Sequence, residues 1–206
     1  NVAMINLFNK WRLEQINQEL TAISIKDPLT QIYNREGMRQ IAARAFDKAA
    51  GQGRALLIMF ADMDKLKYIN DTYGHEYGDK AIRSAARAVA GGGGISSIPV
   101  RYGGDEFIII YAGISAEEVH AKAAALRQNI MDLKLEHLYS KALPIVTISQ
   151  GISYGVPENG NRSWDFLHTA DMLLYQVKKK SRNDICIADI RGQELDLSSK
   201  QEKVEP

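Results

Sequence analysis

The fold is decided by the stretch Arg101-Tyr102-Gly103-Gly104-Asp105-Glu106-Phe107, which links two short runs of strand-forming residues. The runs cover residues 98–102 and 106–111 and are joined only by Gly-Gly-Asp. Because glycine adopts positive φ at little steric cost, such a short connection predicts a β-hairpin. Hairpin tips are commonly solvated and acidic, so the turn alone does not identify a site.

Outward from this hairpin, helix-like and strand-like segments alternate along the chain. An unbroken apolar run at residues 55–61 predicts a central strand buried on both faces. Four consecutive glycines at 91–94 predict a flexible connection. The order of elements indicates an α/β (α+β) domain with a central mixed β-sheet flanked by helices. The other predicted elements are helices over 36–50, 78–90, 115–135 and 164–177, and strands over 145–154 and 184–190.

The composition is that of an ordinary globular protein, with 45% apolar and 25% charged residues among 206 and a net charge of +1. No stretch approaches the roughly 18 consecutive apolar residues of a membrane span, and no secretory signal is visible. The single cysteine, Cys186, excludes an internal disulfide and is expected to be a small buried apolar residue. We expect a cytoplasmic protein, or the cytoplasmic part of a membrane-anchored sensor, without nucleic-acid or membrane contacts of its own.

The first residues predict a helix without a globular core. Leu13, Ile16, Leu20 and Ile23 follow a 3-4-3 spacing and form one apolar seam of a short coiled coil. Since only about two heptads are visible, a weak coiled coil and a helix that packs on its own domain are equal alternatives. The pattern breaks before Pro28, because a residue that precedes proline is disfavoured in a helix.

Three segments follow from these patterns. Because the chain begins at Asn1 rather than Met, we expect a fragment of a longer protein. Residues 1–26 would be a signalling or linker helix, residues 27–190 the domain, and residues 191–206 a polar tail.

Acidic residues stand beside two of the predicted strands. Asp62 and Asp64 follow the buried run, while Asp105 and Glu106 lie at the hairpin tip. Taken alone, the first pair is more typical of a helix N-cap with a solvated charge than of a metal site. If the two strands are neighbours, three or four carboxylates converge, and divalent cations would relieve their repulsion. Such a cluster favours phosphoryl or nucleotidyl transfer.

Two further segments carry polar residues suited to a nucleotide. Asn70 and Asp71 could read a guanine edge, but they are equally typical of a loop, with Asp79 capping the next helix. Lys178 and Arg182 could lie on one face at a helix end and bind phosphates. The alternative is that the run of lysines at 178–180 complements the helix dipole.

Together these residues resemble the GGDEF domain of bacterial diguanylate cyclases over roughly residues 25–190. So many motifs in the same order make the resemblance highly specific. The matching segments are Asp27-Pro28-Leu29-Thr30, Asn34-Arg35, Asp62-Met63-Asp64, Lys67, Asn70-Asp71, Tyr73-Gly74-His75, Gly78-Asp79, Arg101-Tyr102-Gly103-Gly104-Asp105-Glu106-Phe107, Thr147-Ile148-Ser149-Gln150-Gly151, Ala170-Asp171, Tyr175, Lys178 and Arg182-Asn183.

The resemblance implies a palm-like nucleotidyl cyclase fold and a nucleotidyltransferase that converts two GTP into cyclic di-GMP and two pyrophosphates. Each domain would hold one GTP, so that a homodimer is needed and activity depends on association. The implied cofactor is Mg²⁺, with Mn²⁺ as a substitute. An upstream sensor would act through residues 1–26.

The resemblance also implies roles for individual residues. Those implied to hold the metal are Asp62, Met63 (through its carbonyl), Asp105 and Glu106. Those implied to contact GTP are Asn70 and Asp79 at the guanine, His75 near the nucleoside, and Lys67, Lys178 and Arg182 at the triphosphate. An acidic signature residue, Asp105 or Glu106, would help deprotonate the attacking 3′-hydroxyl, although metal activation alone is an alternative.

Three features concern variation within the family. An Arg-x-x-Asp product-inhibition site would fall on Gly94 and Ser97, so we expect that site to be absent. Gln31 replaces the usual glycine, which would alter a turn near the base pocket. Relatives that accept ATP carry serine at the position of Asp79. Because Asp79 is retained here, we expect selectivity for GTP.

The main competing hypothesis is a catalytically inactive GGDEF module that binds GTP and relays a signal. Such modules usually carry a broken signature, and here the signature is intact. A structural domain without a nucleotide site would require every motif to be coincidental.

Overall fold

The computed structural model describes residues 4–13, 15, 25–93, 97–138, 140, 143–158 and 160–190. The helices of the domain are α1 (Arg35–Gly51), α2 (Leu66–Tyr73), α3 (His75–Gly93), α4 (Ala116–Asp132) and α5 (Ser163–Lys180). The strands are β1 (Leu56–Met63), β2 (Ser97–Gly103), β3 (Glu106–Ala112), β4 (Ile148–Gly155) and β5 (Ile185–Ala188).

The strands form a single mixed sheet in the order β2-β3-β1-β4-β5. Strand β1 runs antiparallel to both β3 and β4, β2 runs antiparallel to β3, and β4 and β5 pair in parallel. All eight residues of β1 are buried, which explains why its sequence is an apolar run rather than an alternating pattern. The predicted central strand and mixed sheet are confirmed.

The predicted hairpin is formed by β2 and β3. Gly103 pairs with Glu106, and Gly104 and Asp105 form the turn between them. Gly104 has a φ of +30°, a conformation that residues with a Cβ rarely adopt. Since β3 is the direct neighbour of β1, Glu106 lies opposite Asp62 in the sheet.

Apolar side chains cover both faces of the sheet. One face packs against α2, α3 and α4 through residues such as Met59, Ile109 and Ile152. The other face packs against α1 and α5, with Phe60 and Ile108 among its members. Because side chains alternate along a strand, Asp62 and Glu106 extend the rows of Phe60 and Ile108 and lie on the α1/α5 face.

Two helices occupy the region where a loop was one of the expectations. Asn70 and Asp71 lie in α2, and Asp79 lies inside α3 rather than capping it. The interpretation of these residues as loop formers and cap is therefore wrong. Leu66, Ile69 and Tyr73 recur at helical spacing, and their packing on the core outweighs the low helix propensity of Asn, Asp and Thr.

Several predicted boundaries shift by a few residues. The glycines at 91–93 form the last turn of α3, so the prediction of a flexible connection there is wrong; Gly94 lies outside the described residues. Strand β4 begins at Ile148, because Ile145 pairs instead with Glu136 in an isolated bridge. Cys186 is half-buried in β5 rather than fully buried.

The N-terminal segment is helical over residues 4–13, and every one of these residues is exposed, including Phe8 and Trp11. This part of the helix therefore does not pack on the domain. Seam residues Ile16, Leu20 and Ile23 lie outside the described residues, as does the tail at 191–206, so the coiled coil stays a prediction. No helix among the described residues combines the length and hydropathy needed to cross a membrane.

Candidate active site

Carboxylates from two adjacent strands meet at the end of β1. Asp62 is buried, with 6% of its surface exposed, and it faces Glu106 across the β1–β3 pair. The turn residue Asp105 is fixed beside them, because its carbonyl accepts a hydrogen bond from the Met63 amide at 3.1 Å. The expected convergence of Asp62, Asp105 and Glu106 is thus observed.

Burial and neighbouring charge shift the pKa values of Asp62 and Glu106. Burial raises the pKa of Asp62 to about 7; the charge of Asp105 acts in the same direction, and Lys178 partly offsets both. Burial also raises the pKa of Glu106, against the opposing charge of Lys178. A cluster of this kind holds more negative charge than its surroundings neutralise, and it would gain from an added cation.

Lys178 supplies the one ion pair seen in this cluster among the described residues. Its Nζ lies 2.7 Å from Oδ2 of Asp62, and it reaches the sheet from the last turn of α5. The alternative that the lysines at 178–180 serve only the helix dipole is therefore wrong for Lys178. Lys179 and Lys180 are exposed, as that alternative expects.

Arg182 does not extend the helix face that its spacing suggested. Helix α5 ends at Lys180, and Arg182 has a φ of +55° in the turn that follows. Its backbone amide donates to the Val177 carbonyl at 3.1 Å. Arg182 is therefore placed by a left-handed turn and not by an i, i+4 relation with Lys178.

Asp64 does not join the acidic cluster. It is 3% exposed and accepts hydrogen bonds from the hydroxyls of Thr147 and Ser149 and from the amide of Asn183. The expectation of a solvated charge is wrong for Asp64, which is buried and whose carboxylate has most of its acceptor positions occupied by these three donors.

The residues expected at the nucleoside lie on α2 and α3. The side-chain oxygen of Asn70 lies so close to Gly78 that a Cβ at that position would collide with it. Asp79 follows Gly78 in the same helix and is half-buried. Lys67 on α2 and His75 at the start of α3 are exposed. The structure thus brings Asn70 against the start of α3, which carries Asp79, and leaves Lys67 and His75 facing solvent.

A polar clamp that the motif analysis did not anticipate shapes the signature turn. Arg101 donates from Nε and Nη2 to the carbonyl of Gly104, at 3.1 and 2.9 Å, and from Nη1 to the carboxylate of Asp27 at 3.0 Å. Asp27 also accepts from the amide and hydroxyl of Thr30. Both ends of the clamp lie in quoted motifs, but their separation of 74 residues gives no sequence signal that they meet.

With this geometry in place, the comparison with known families is decisive. A family model described as "Diguanylate cyclase, GGDEF domain" matches residues 24–184. The chain belongs to the GGDEF family.

Curated relatives of this GGDEF domain are named as diguanylate cyclases. The probable diguanylate cyclase DgcC of Escherichia coli is 32% identical over 175 residues, which are 84% of this chain and 45% of DgcC. Diguanylate cyclase DosC of E. coli is 34% identical over 161 residues, 77% of this chain and 34% of DosC. The chain spans less than half the length of these relatives.

Solved GGDEF structures confirm the palm-like nucleotidyl cyclase fold. The GGDEF domain of DgcB from Caulobacter crescentus, in complex with c-di-GMP, matches with a TM-score of 0.71 at 26% identity and covers 80% of this chain and 93% of that one. The DgcB structure that includes its coiled coil matches with a TM-score of 0.78 at 24% identity, covering 89% and 95%.

The donor set of this GGDEF domain fits a magnesium ion. Carboxylate and carbonyl oxygens are the ligands that Mg²⁺ prefers, and the charges of Asp105 and Glu106 add to the effect of burial in raising the pKa of Asp62, so a cation would relieve their repulsion. The side chains are not spread as a finished cage: within the described residues no three Asp, Glu, His or Cys groups already lie at metal-binding spacing. Such an incomplete cage suits an ion that also binds substrate phosphates.

Two charged residues near Glu106 were not singled out for a role. Asp171 on α5 and Arg35 at the start of α1 both act on its pKa, the first raising it and the second lowering it. The guanidinium of Arg35 also lies 4.7 Å from the ring centre of Tyr102. Both residues belong to segments that match the GGDEF family, and this match is the sequence signal that could have identified them.

Proposed function

We propose that this GGDEF domain condenses two GTP into cyclic di-GMP and releases two pyrophosphates. The observation that carries the proposal is the meeting of Asp62, Asp105 and Glu106 with Lys178 beneath an intact signature turn. The curated relatives named as diguanylate cyclases support the same activity for the domain that they share.

The reaction consists of two equivalent displacements. In each, the 3′-oxygen of one GTP bonds to the α-phosphorus of the other, the bond from that phosphorus to pyrophosphate breaks, and the hydroxyl proton leaves. A carboxylate whose pKa is raised is better matched to accept this proton near neutral pH. Glu106 meets this requirement. Asp105 is the other acidic residue of the signature and the alternative base.

The metal would be Mg²⁺, with Mn²⁺ as a substitute, held by Asp62, the carbonyl of Met63, Asp105 and Glu106. When bound, it would neutralise charge on the triphosphate and polarise the phosphorus that is attacked. Lys67, Lys178 and Arg182 would add fixed positive charge along the same phosphates.

Guanine would be read by the side chains of Asn70 and Asp79. A carboxylate accepts from the N1 and N2 hydrogens of guanine, and an amide can bond to O6 or N3. Their placement on facing helices, with Asn70 against Gly78, supports a preformed base site. His75 would lie near the nucleoside. Because Asp79 is retained, we propose selectivity for GTP over ATP.

The active unit would be a homodimer in which each domain contributes one GTP. Attack by one GTP on the other requires two nucleotides to face each other, and one copy of this nucleotide site holds only one. The exposed apolar side chains of residues 4–13, Phe8 and Trp11 among them, support an association through the N-terminal helix. This helix would carry the input of an upstream sensor, and the domain would work in the cytoplasm.

The test is a product assay. Purified protein is incubated with GTP and MgCl₂, and the nucleotides are separated by anion-exchange chromatography. We expect cyclic di-GMP, a rate per protein that rises with protein concentration, and complete loss with EDTA or in Glu106→Gln. If a demonstrably dimeric sample binds GTP but forms no product, the enzyme proposal fails and the inactive signalling module is supported.

We also propose that product feedback through the Arg-x-x-Asp site is absent. Ser97 begins β2 and offers no carboxylate at the position where that site requires one, and Gly94 lies outside the described residues. Cyclic di-GMP titrated calorimetrically into the Glu106→Gln variant should show no tight binding at this surface. Tight binding that Ser97→Tyr abolishes would contradict the proposal.

A further inference from the structure

The end of β1 carries a second buried carboxylate whose partners lie on other elements. Oδ2 of Asp64 accepts from the Thr147 hydroxyl at 2.7 Å and from the Asn183 amide at 3.0 Å, and Oδ1 accepts from the Ser149 hydroxyl at 2.6 Å. The same Asn183 amide lies 3.2 Å from the Ser149 hydroxyl. Asp64 therefore joins β1, β4 and the turn after α5 in one buried network.

The turn that Asp64 holds has an unfavourable backbone. Arg182 and Asn183 have φ values of +55° and +47°, in the left-handed region that side chains with a Cβ disfavour. Two such residues in succession persist only where the surroundings fix them. Here the turn is held by bonds from the Arg182 amide to the Val177 carbonyl, from the Asn183 amide to Asp64 and Ser149, and from Arg127 Nε to the Asn183 side chain at 3.0 Å; Asp64 is the carboxylate among these partners.

The same strand end also places the other basic residue proposed for the triphosphate. Asp62 pairs with Lys178, and Asp64, two residues later, binds the turn that carries Arg182. One short segment of β1 thus sets the position of both cations relative to the acidic cluster.

We propose that Asp64 is a positioning residue that sets where the Arg182 guanidinium meets the triphosphate. It acts through the Asn183 amide and does not bind the metal. The inference rests on the proposed function, since it assigns Arg182 to the substrate.

The test compares Asp64→Ala and Asp64→Asn by steady-state kinetics of product formation. Asp64→Ala frees the Arg182 turn, so we expect KM for GTP to rise about tenfold with little change in kcat. Asp64→Asn should have a KM for GTP close to that of the wild type. Its amide oxygen can take the Oδ2 position and accept from Thr147 and Asn183, while its NH₂ donates to Ser149. If kcat collapses in Asp64→Asn, Asp64 is a metal ligand and the proposal is overturned.

A double-mutant cycle with Arg182→Ala separates positioning from a general structural effect. If Asp64 acts through Arg182, Asp64→Ala adds no further rise in KM to Arg182→Ala. Additive effects on KM would overturn the proposal.

Two further variants apply if Asp64→Ala does not fold. Ser149→Ala removes contacts to both Asp64 and the Asn183 amide and should raise KM, whereas Thr147→Val leaves the Asn183 contact in place and should raise it less. The reverse order would contradict the proposal. If the wild-type protein forms no product, the proposed function fails by itself, and the same variants are compared by GTP affinity in calorimetry.

Discussion

Gln31 shows how one residue departs from the family pattern at a cost. It has a φ of +62°, in the region where glycine is favoured, and its side chain donates to the Pro28 carbonyl at 2.9 Å. The backbone amide of Gln31 donates to the backbone carbonyl of Asp27 and closes a turn. The side-chain carboxylate of Asp27 pairs with Arg101. Gln31 therefore belongs to the clamp that holds the signature turn.

Gln31→Gly should stabilise the protein by about 0.5–1 kcal/mol, because glycine relieves the left-handed strain and loses only an exposed hydrogen bond. Chemical denaturation measures the free energy of unfolding. The control is Gln31→Ala, which loses the same hydrogen bond but keeps the Cβ and should show no gain. Equal stabilities of the two variants would mean that the backbone at residue 31 is not strained.

At the scale of elements, the contact between α2 and α3 depends on a glycine. A Cβ at Gly78 would collide with the side-chain oxygen of Asn70, so the observed placement of the Asn70 side chain against α3 requires glycine there. Gly91, in the last turn of the same α3, has no atom within 4 Å of a would-be Cβ. The two glycines form a matched pair within one helix.

Gly78→Ala should weaken GTP binding about tenfold, because the Asn70 side chain must leave its place against α3 and its proposed contact with guanine is lost. Gly91→Ala should leave GTP binding unchanged and stabilise the helix by up to about 1 kcal/mol. Calorimetric titration with GTP and thermal unfolding of both variants give the comparison. Unaltered GTP affinity in a folded Gly78→Ala protein would remove Asn70 from the base site.

Sequence patterns predicted the elements that are long or strongly periodic. The buried run became β1, the Gly-Gly-Asp turn became the β2–β3 hairpin, and the convergence of Asp62 with Glu106 followed from their adjacency. Helix α2 was missed because Asn70, Asp71 and Thr72 are poor helix formers, and tertiary packing of its apolar face decides the outcome.

The contacts of Asp64 could not be predicted for a different reason. Its donors come from residues 83 to 119 positions away, so nothing in the local sequence distinguishes a buried, saturated carboxylate from a metal ligand. The clamp between Asp27 and Arg101 escaped prediction for the same reason. Register within a hairpin is local information, whereas the pairing of distant side chains requires the tertiary fold.

At the scale of the whole molecule, stability is linked to pH through a buried histidine. His137 is fully buried, and among the described residues neither ring nitrogen makes a well-formed hydrogen bond, although the Asp64 backbone lies close enough to interact with the ring. Burial lowers its pKa from the ordinary value of 6.5, although the backbone and charge of Asp64 act in the opposite direction. Below about pH 6.5 the unfolded chain takes up this proton before the folded one does, so this residue makes the fold less stable as pH falls.

Asp62 has the opposite linkage, because with a pKa raised to about 7 the folded chain takes up its proton first as pH falls. The effect of His137 is therefore measured as a difference. We expect the free energy of unfolding of His137→Leu to rise relative to wild type as pH is lowered from 7.5 to 5.5. His120→Leu, at an exposed position of α4, should show no such trend. A pH-independent difference for His137→Leu would show that this histidine is not kept neutral by the fold.

The clamp at Asp27 also sets a rule for building hybrid proteins from this domain. Residue 33 pairs alongside β2 through Val100, so the chain that enters the domain is already part of the sheet before α1 begins. A foreign input module joined before Ile25 would leave Asp27, Tyr33 and the grip of Arg101 on Gly104 within the transplanted piece. A junction placed after Thr30 would remove Asp27, so Arg101 would lose its carboxylate partner although the signature sequence stays complete. The fusion point for an exchanged sensor module therefore lies a few residues before the first motif and not at the start of α1.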